Sequence, residues 1–150
     1  MGAYFGRAYQ QLYGEKIKPR NIYPESAVYG VNTIRVKFNV PVKPLVLDTL
    51  LLAPTKNYGF TVFVGSTEQN ITGVAIESGD TVVITVSAVL SAAPTVRYAL
   101  DNLGTGLSII NGASGNLRDS SPDTCTVNGE VLPMYYICPH FKINAITNII

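Results

Sequence analysis

The chain has 150 residues, enough for one domain with a core of its own. Hydrophobic residues make up 47% and charged residues 14% of it, which argues against a disordered segment. The net charge of +1 gives no attraction to nucleic acid, and no apolar run approaches the roughly 20 residues of a membrane span. We therefore expect neither nucleic-acid binding nor membrane insertion.

The first predicted element is a short helix over residues 3–13, followed by an extended linker over residues 15–30. The apolar residues of the helix recur at helical spacing and share one face: Phe5, Ala8, Tyr9 and Leu12. Pro19 and Pro24 disfavour helix at the residues before them and keep the linker extended. The N-terminus lacks a basic region followed by an apolar core, so no signal peptide is predicted.

From residue 32 onward the sequence predicts short antiparallel strands. Apolar and polar residues alternate cleanly over 32–40, which is typical of a strand with one buried face. Further strands are predicted at 45–47, 58–64, 71–76, 81–86, 96–99, 125–127, 131–132 and 135–138. Turns are predicted at residues 78–80 and at Asn128-Gly129. The predicted fold is mostly β, an antiparallel β-sandwich of the jelly-roll or Ig-like kind with a short N-terminal helix.

Residues 95–119 combine a strand with a long stretch rich in Gly, Asn and Ser, and they contain Arg97 and Arg118. One interpretation is an Arg–carboxylate pair that pins the long loop. The other is a carbohydrate site, in which planar polar groups bind sugar hydroxyls and a tyrosine stacks on the ring. The candidate carbohydrate-binding residues are Arg97, Tyr98, Asn116, Arg118, Asp119, Tyr135, Tyr136 and His140.

We predict no catalytic residues. His140 is the single histidine, in an apolar segment, and it is more typical of a packed side chain than of a general base. Four acidic residues could pair as in a glycosidase but are more typical of turn caps: Asp101, Asp119, Asp123 and Glu130. The glycine runs at 104–106 and 112–115 lack the lysine of a phosphate loop.

Two cysteines, Cys125 and Cys138, are too few for a disulfide framework. They are interpreted as free thiols, although a single bridge between them stays open. With His140 they are also too few for a zinc site. The sequence therefore predicts no metal and no cofactor.

Several segments resemble the β-sandwich that follows the catalytic domain of SGNH-type hydrolases: VKFNVPVKPLVLDT, NYGFTV, SGDTVVITVSA, VRYA and GNLRDS. The similarity is to the tails of sialate O-acetylesterase-like enzymes and of bacteriophage tailspike proteins. The predicted helix resembles the last helix of such a hydrolase domain. The Asp-x-x-His motif of the family has no match in this chain, so no catalytic triad is carried over.

The resemblance implies that residues 1–30 are a terminal helix and linker from a preceding hydrolase domain, and that 31–150 are the sandwich. It implies a non-catalytic C-terminal module of a phage tailspike or of an SGNH polysaccharide esterase that binds bacterial surface polysaccharide. A tailspike module would lie on the virion tail and be made in the host cytoplasm. The alternative is a structural domain that stabilises the protein or assembles a homotrimer. The apolar end, residues 143–150, fits such an assembly surface.

Overall fold

A computed structural model describes residues 2–18, 20–101 and 115–147. The chain begins with an α-helix, α1 (Gly2–Tyr9), which continues as a π-helical turn (Gln10–Gly14). A short 3-10 segment follows later (Lys56–Gly59). The predicted N-terminal helix is therefore confirmed. Its apolar face does not pack into the core, however, because Phe5, Tyr9 and Leu12 are all exposed.

Thirteen short strands make up the rest of the regular structure in these ranges. They are β1 (Tyr23–Tyr29), β2 (Thr33–Asn39), β3 (Val46–Leu47), β4 (Phe60–Val64), β5 (Thr67–Glu68), β6 (Ile71–Glu77), β7 (Thr81–Val86), β8 (Thr95–Tyr98), β9 (Leu117–Arg118), β10 (Thr124–Val127), β11 (Glu130–Pro133), β12 (Phe141–Asn144) and β13 (Ile146–Thr147).

Two main sheets form a β-sandwich, which confirms the predicted mostly-β fold. One sheet has the order β13-β1-β2-β7-β6 and the other the order β12-β8-β4-β5. All neighbours are antiparallel except β13, which runs parallel to β1. When the strands are lettered in the order of the chain, the order across the first sheet, β1-β2-β7-β6, is A-B-E-D. The order across the second sheet, β12-β8-β4-β5, is G-F-C-C′, and both are the orders of an Ig-like sandwich. Of the two predicted architectures, the strand order is that of the Ig-like one.

An aromatic cluster joins the two sheets at their centre. Phe38 on β2 lies 5.5 Å from Phe141 on β12, measured between ring centroids. The ring of Tyr98 on β8 is 5.3 Å from Phe141 and 4.9 Å from Phe60 on β4. These side chains fill the space between the sheets, where edge and offset ring contacts add to the stabilisation from apolar burial.

Several predicted boundaries are wrong. Residues 23–29, predicted as part of the linker, form β1, which lies inside the five-stranded sheet. The strand predicted from residue 58 begins at Phe60, because Asn57 and Tyr58 have φ angles of 51° and 56°. Residues 135–138 form a single bridge, from Ile137 to Arg118, rather than a strand.

The predicted hairpin turns are confirmed. Ser78 and Gly79 have φ angles of 54° and 76°, and they join β6 to β7. Asn128 and Gly129 have φ angles of 51° and 83° and join β10 to β11. Positive φ at both central residues is what a type I′ turn requires.

Two long connections meet at one end of the sandwich. The first runs from β2 to β4 and contains β3, and the second runs from β8 to β12 and contains β9, β10 and β11. β3 and β9 pair with each other, so the two connections are joined by a small sheet of their own. We call this region the loop end, and six of the eight candidate binding residues lie on or beside it.

Candidate functional site

Asn116 is the residue that ties the two connections together. Its side chain is fully buried, and its Nδ2 donates to the carbonyl oxygens of Asp48, Ala53 and Leu52 at 2.9, 3.0 and 3.3 Å. Its Oδ1 accepts a hydrogen bond from the Thr55 amide at 3.0 Å. The asparagine thus replaces water for several main-chain groups that a buried loop would otherwise leave unpaired.

An ion pair between Arg118 on β9 and Asp48, which follows β3, also joins the two connections. Nε of Arg118 lies 2.5 Å from Oδ2 of Asp48, and the two side chains are only 15% and 5% exposed. The guanidinium also donates to the Asp119 carbonyl at 2.8 Å and lies 3.8 Å from the ring centroid of Tyr135. Arg118 therefore belongs to a structural Arg–carboxylate pair, with Asp48 as the carboxylate. Most of the long loop that the predicted pair would pin lies outside the described residues.

The environment of Asp48 determines its protonation. Burial raises the pKa of this carboxyl, but the amide groups of Leu51 and Leu50 and the guanidinium of Arg118 donate to its charged form. These hydrogen bonds outweigh burial, so the pKa of Asp48 lies below its usual value. Asp48 is therefore charged at neutral pH.

Tyr98 belongs to the core rather than to a binding surface. It has no exposed area, and its hydroxyl accepts a hydrogen bond from the Leu117 amide at 2.9 Å. Burial raises the pKa of this hydroxyl far above its usual value. The ring packs against Gly115 so closely that a Cβ added there would lie 1.9 Å from a ring carbon.

Asp119 is also fully buried, and it fixes the turn that follows β9. Its Oδ1 accepts hydrogen bonds from the amides of Tyr136 and Ser121 at 2.9 and 3.1 Å. In the described part of the chain its Oδ2 has no hydrogen-bond partner. The interpretation of Asp119 as a turn cap is confirmed.

Arg7 and Gln11 attach the N-terminal helical segment to the loop end through hydrogen bonds. Arg7 donates to Asp123 at 2.9 Å and to the Met134 carbonyl at 2.8 Å, and its guanidinium lies 3.8 Å from the ring centroid of Tyr136. Gln11 donates to the Tyr136 hydroxyl at 2.8 Å. Tyr136 is therefore covered on one side by helix residues.

Two candidates lie apart from this network. Arg97 projects from β8 on the outer face of its sheet, where it pairs with Asp101 at 2.8 Å and lies over the ring of Phe63. His140 is exposed just before β12. Of the eight candidates, the structure brings six together at the loop end: Tyr98, Asn116, Arg118, Asp119, Tyr135 and Tyr136. Three of these, Tyr98, Asn116 and Asp119, present no surface to a ligand.

The four acidic residues considered for glycosidase chemistry are dispersed among different partners. Asp101 pairs with Arg97, Asp123 pairs with Arg7, and Asp119 binds main-chain amides. Glu130 is exposed on β11. In the described ranges, no three His, Cys, Asp or Glu side chains converge as a metal site would require. Most of the glycine runs at 104–106 and 112–115 lie outside the described residues.

Cys125 and Cys138 are both free thiols, so no bridge joins them. Cys138 is buried, which raises its pKa well above that of an exposed thiol. A buried neutral thiol is a poor nucleophile. Among the described residues, no helix has the length and hydropathy of a membrane span.

Sequence reasoning missed three residues of the loop end: Asp48, Arg7 and Gln11. Asp48 follows a two-residue strand in the segment LVLDT and carried no motif. Arg7 and Gln11 lie four residues apart on the helix, the spacing that places two side chains on one face. That polar spacing was the available signal, but the apolar residues of the helix dominated the pattern.

No protein-family model matches the chain, and no curated protein matches it either. Among solved structures, the chain is similar to the N-terminal part of the bacterial S-layer protein SbsC. The sequence identity is 24% and the TM-score 0.41, and the match covers 53% of this chain and 19% of that chain. The chain spans less than a fifth of that structure, and the similarity carries no argument about function.

Proposed function

We propose that this chain is a non-catalytic structural module that assembles with copies of itself. The observation that carries the proposal is the use of the polar loop-end residues. Asn116, Asp119 and the Arg118–Asp48 pair bind main-chain groups and each other, and this joins the described parts of the two long connections. A loop end whose polar groups are already paired supports a load-bearing or assembly role better than a sugar site, for which accessible polar groups are needed.

The surface for assembly is the exposed aromatic face of the N-terminal helix. Phe5, Tyr9 and Tyr13 are 70%, 66% and 68% exposed, and the rings of Tyr9 and Tyr13 are in contact with centroids 4.7 Å apart. Contiguous exposed aromatic side chains favour an interaction surface over open solvent. The described part of the apolar end, residues 143–147, is less suited, because β12 and β13 are paired within the two sheets and Ala145 is buried. Residues 148–150 lie outside the described residues.

The sequence resemblance supports a place for this module on a phage tailspike or an SGNH-type esterase. A tailspike would place it on the virion tail as part of a homotrimer. The chain carries one histidine and no Asp-x-x-His motif, which supports a non-catalytic role within such a parent protein. Binding of host surface polysaccharide by the predicted residues is the competing proposal.

Light scattering tests the assembly role. We expect a trimer whose mass does not change on dilution. Replacing Phe5, Tyr9 and Tyr13 by Ser should give a monomer that keeps the circular dichroism spectrum of the β-sandwich, because these exposed rings contribute little to the core. Its thermal unfolding midpoint should fall, since the folded chain loses the stabilisation that association provides. A matched control replaces three exposed apolar residues elsewhere by Ser: Val31, Leu50 and Val89. A monomeric wild-type protein, or equal loss of mass in the control, would refute the proposal.

Arg118→Ala separates the structural role from polysaccharide binding. Removing one partner of a buried ion pair costs about 3–5 kcal/mol, so we expect a large fall in the free energy of unfolding. Arg35→Ala is the matched control, because its pair with Glu77 is exposed and worth at most about 1 kcal/mol. An Arg118→Ala protein that stays as stable as wild type but loses affinity for capsular polysaccharide would favour the competing proposal.

A further inference from the structure

A polar cleft lies beside the start of β1, at the same end of the sandwich as the loop end, and Gln11 makes hydrogen bonds to both regions. Its volume is about 340 Å³, within the range of small-ligand clefts. Its lining residues are Lys18, Arg20, Asn21, Tyr23, Asn39, Val40 and Pro41. None of them belongs to the candidate residues identified from the sequence.

The two cations of the cleft, Lys18 and Arg20, form no ion pair with the described residues. The ion pairs among the described residues engage five other basic side chains: Arg7, Arg35, Lys43, Arg97 and Arg118. Lys18 and Arg20 are exposed and have no carboxylate partner in those ranges. Two adjacent cations without a partner favour an anionic ligand, because each can make a charge-assisted hydrogen bond.

The main chain around these cations is anchored, so the cleft has a defined shape. The Arg20 amide donates to Oε1 of Gln11 at 3.1 Å, and the Asn39 side chain donates to the Asn21 carbonyl at 3.1 Å. Ile22, between Asn21 and Tyr23, has no exposed area and is part of the core. Because this main chain is already ordered, less conformational entropy is lost when a ligand binds.

An aromatic ring and two amide groups complete the cleft. Tyr23 is 50% exposed, and it is the cross-strand partner of Asn39, so both side chains project from the same face of the sheet. Oδ1 of Asn21 accepts from the Ile22 amide, which leaves its Nδ2 without a described partner. Oδ1 of Asn39 is likewise without one. The cleft thus offers one amide donor, one amide acceptor and a flat ring.

We infer that this cleft binds an acidic sugar. The cations match a carboxylate, the amides match ring hydroxyls, and Tyr23 matches the apolar face of a pyranose. Neutral sugars would leave Lys18 and Arg20 without a counter-charge, and a small inorganic anion would leave Tyr23 and the amides unused. This site goes beyond the proposed assembly role, because it lies on different residues from the aromatic helix face.

Isothermal titration calorimetry with a short oligogalacturonate tests the inference. We expect binding that weakens as salt rises, and no binding of the fully methyl-esterified oligomer, which has the same rings but no charge. The double variant Lys18→Ala with Arg20→Ala should bind at least about tenfold more weakly, since charge-assisted bonds are worth more than about 1.4 kcal/mol together. Tyr23→Val should weaken binding by a similar factor while remaining compatible with a strand.

The matched control is the double variant Lys56→Ala with Lys142→Ala, which removes the same charge from exposed positions outside the cleft. It should bind like wild type. The inference is overturned if wild type does not bind the acidic oligomer, if the methyl ester binds equally well, or if the control loses as much affinity as the cleft variant. Thermal unfolding of each variant checks that the fold is retained.

Discussion

Replacing Asn116 by Ala should strongly lower the free energy of unfolding. The side chain has two hydrogens on Nδ2 and an accepting Oδ1, and it satisfies buried main-chain groups of the first connection. The three shorter hydrogen bonds, to Asp48, Ala53 and Thr55, contribute a net of about 1 kcal/mol each, and with a desolvation cost for the carbonyls left unpaired the loss is about 4 kcal/mol. For a chain of this size, that lowers the unfolding midpoint by about 8–16 °C.

Urea unfolding followed by circular dichroism measures this loss directly. The midpoint should fall while the dependence on urea stays the same, because the surface exposed on unfolding hardly changes. Asn116→Asp keeps the acceptor but places a carboxylate against carbonyl oxygens, so it should be at least as destabilising. Asn70→Ala, at an exposed position, should change the free energy of unfolding by less than about 0.5 kcal/mol. A loss below about 1 kcal/mol in Asn116→Ala would refute the reasoning.

Three further predictions concern packing, pH and the helix. Gly115→Ala should lower the free energy of unfolding by about 3 kcal/mol or prevent folding, because its Cβ would overlap the Tyr98 ring. Gly6→Ala, in the helix and with open space around it, should raise the free energy of unfolding by about 1 kcal/mol, as measured by thermal unfolding. The pKa of Asp48 is lower in the folded than in the unfolded chain, so the charged carboxylate contributes to the free energy of unfolding above about pH 3.9. This contribution is lost as the pH falls through the folded-state pKa. Urea unfolding at several pH values should show a weaker loss of stability at acid pH in Asp48→Asn than in wild type. Arg7→Ala should speed amide hydrogen exchange in α1 while leaving exchange in β2 and β7 unchanged, and equal exchange in α1 would contradict the attachment of the helix through Arg7.

Most of the sandwich could be predicted from local patterns. β2, β6 and β7 alternate apolar and polar side chains or are rich in Val and Ile, and the turn between β6 and β7 contains Gly79 at positive φ. β1 was missed because Pro24 and the β-bulge beside it interrupt the alternation, and its pairing with β2 comes from a partner that the local pattern does not show. The two-residue strands β3, β5, β9 and β13 are too short to carry any period.

The candidate site was predicted in composition but not in exposure. Polar residues beside glycines are equally typical of a binding loop and of a loop that hydrogen-bonds to itself. Asn116 and Asp119 belong to a loop that hydrogen-bonds to itself, because the described parts of the two connections pack against each other and exclude water from these two side chains. The partner of Arg118 lies seventy positions away at Asp48, a distance that no local motif spans.

The sequence by itself determined the strand-rich class, the short N-terminal helix and the positions of the turns, because alternation, helical spacing and positive-φ residues act over a few neighbours. The tertiary structure alone decided the Ig-like strand order, the joining of the two connections and which polar side chains face inward. These depend on contacts between segments far apart in the chain, and burial follows from those contacts rather than from residue type. The cleft of Lys18, Arg20 and Tyr23 likewise could not be predicted from the sequence, because it is formed by the packing of residues 18–23 beside the end of β2.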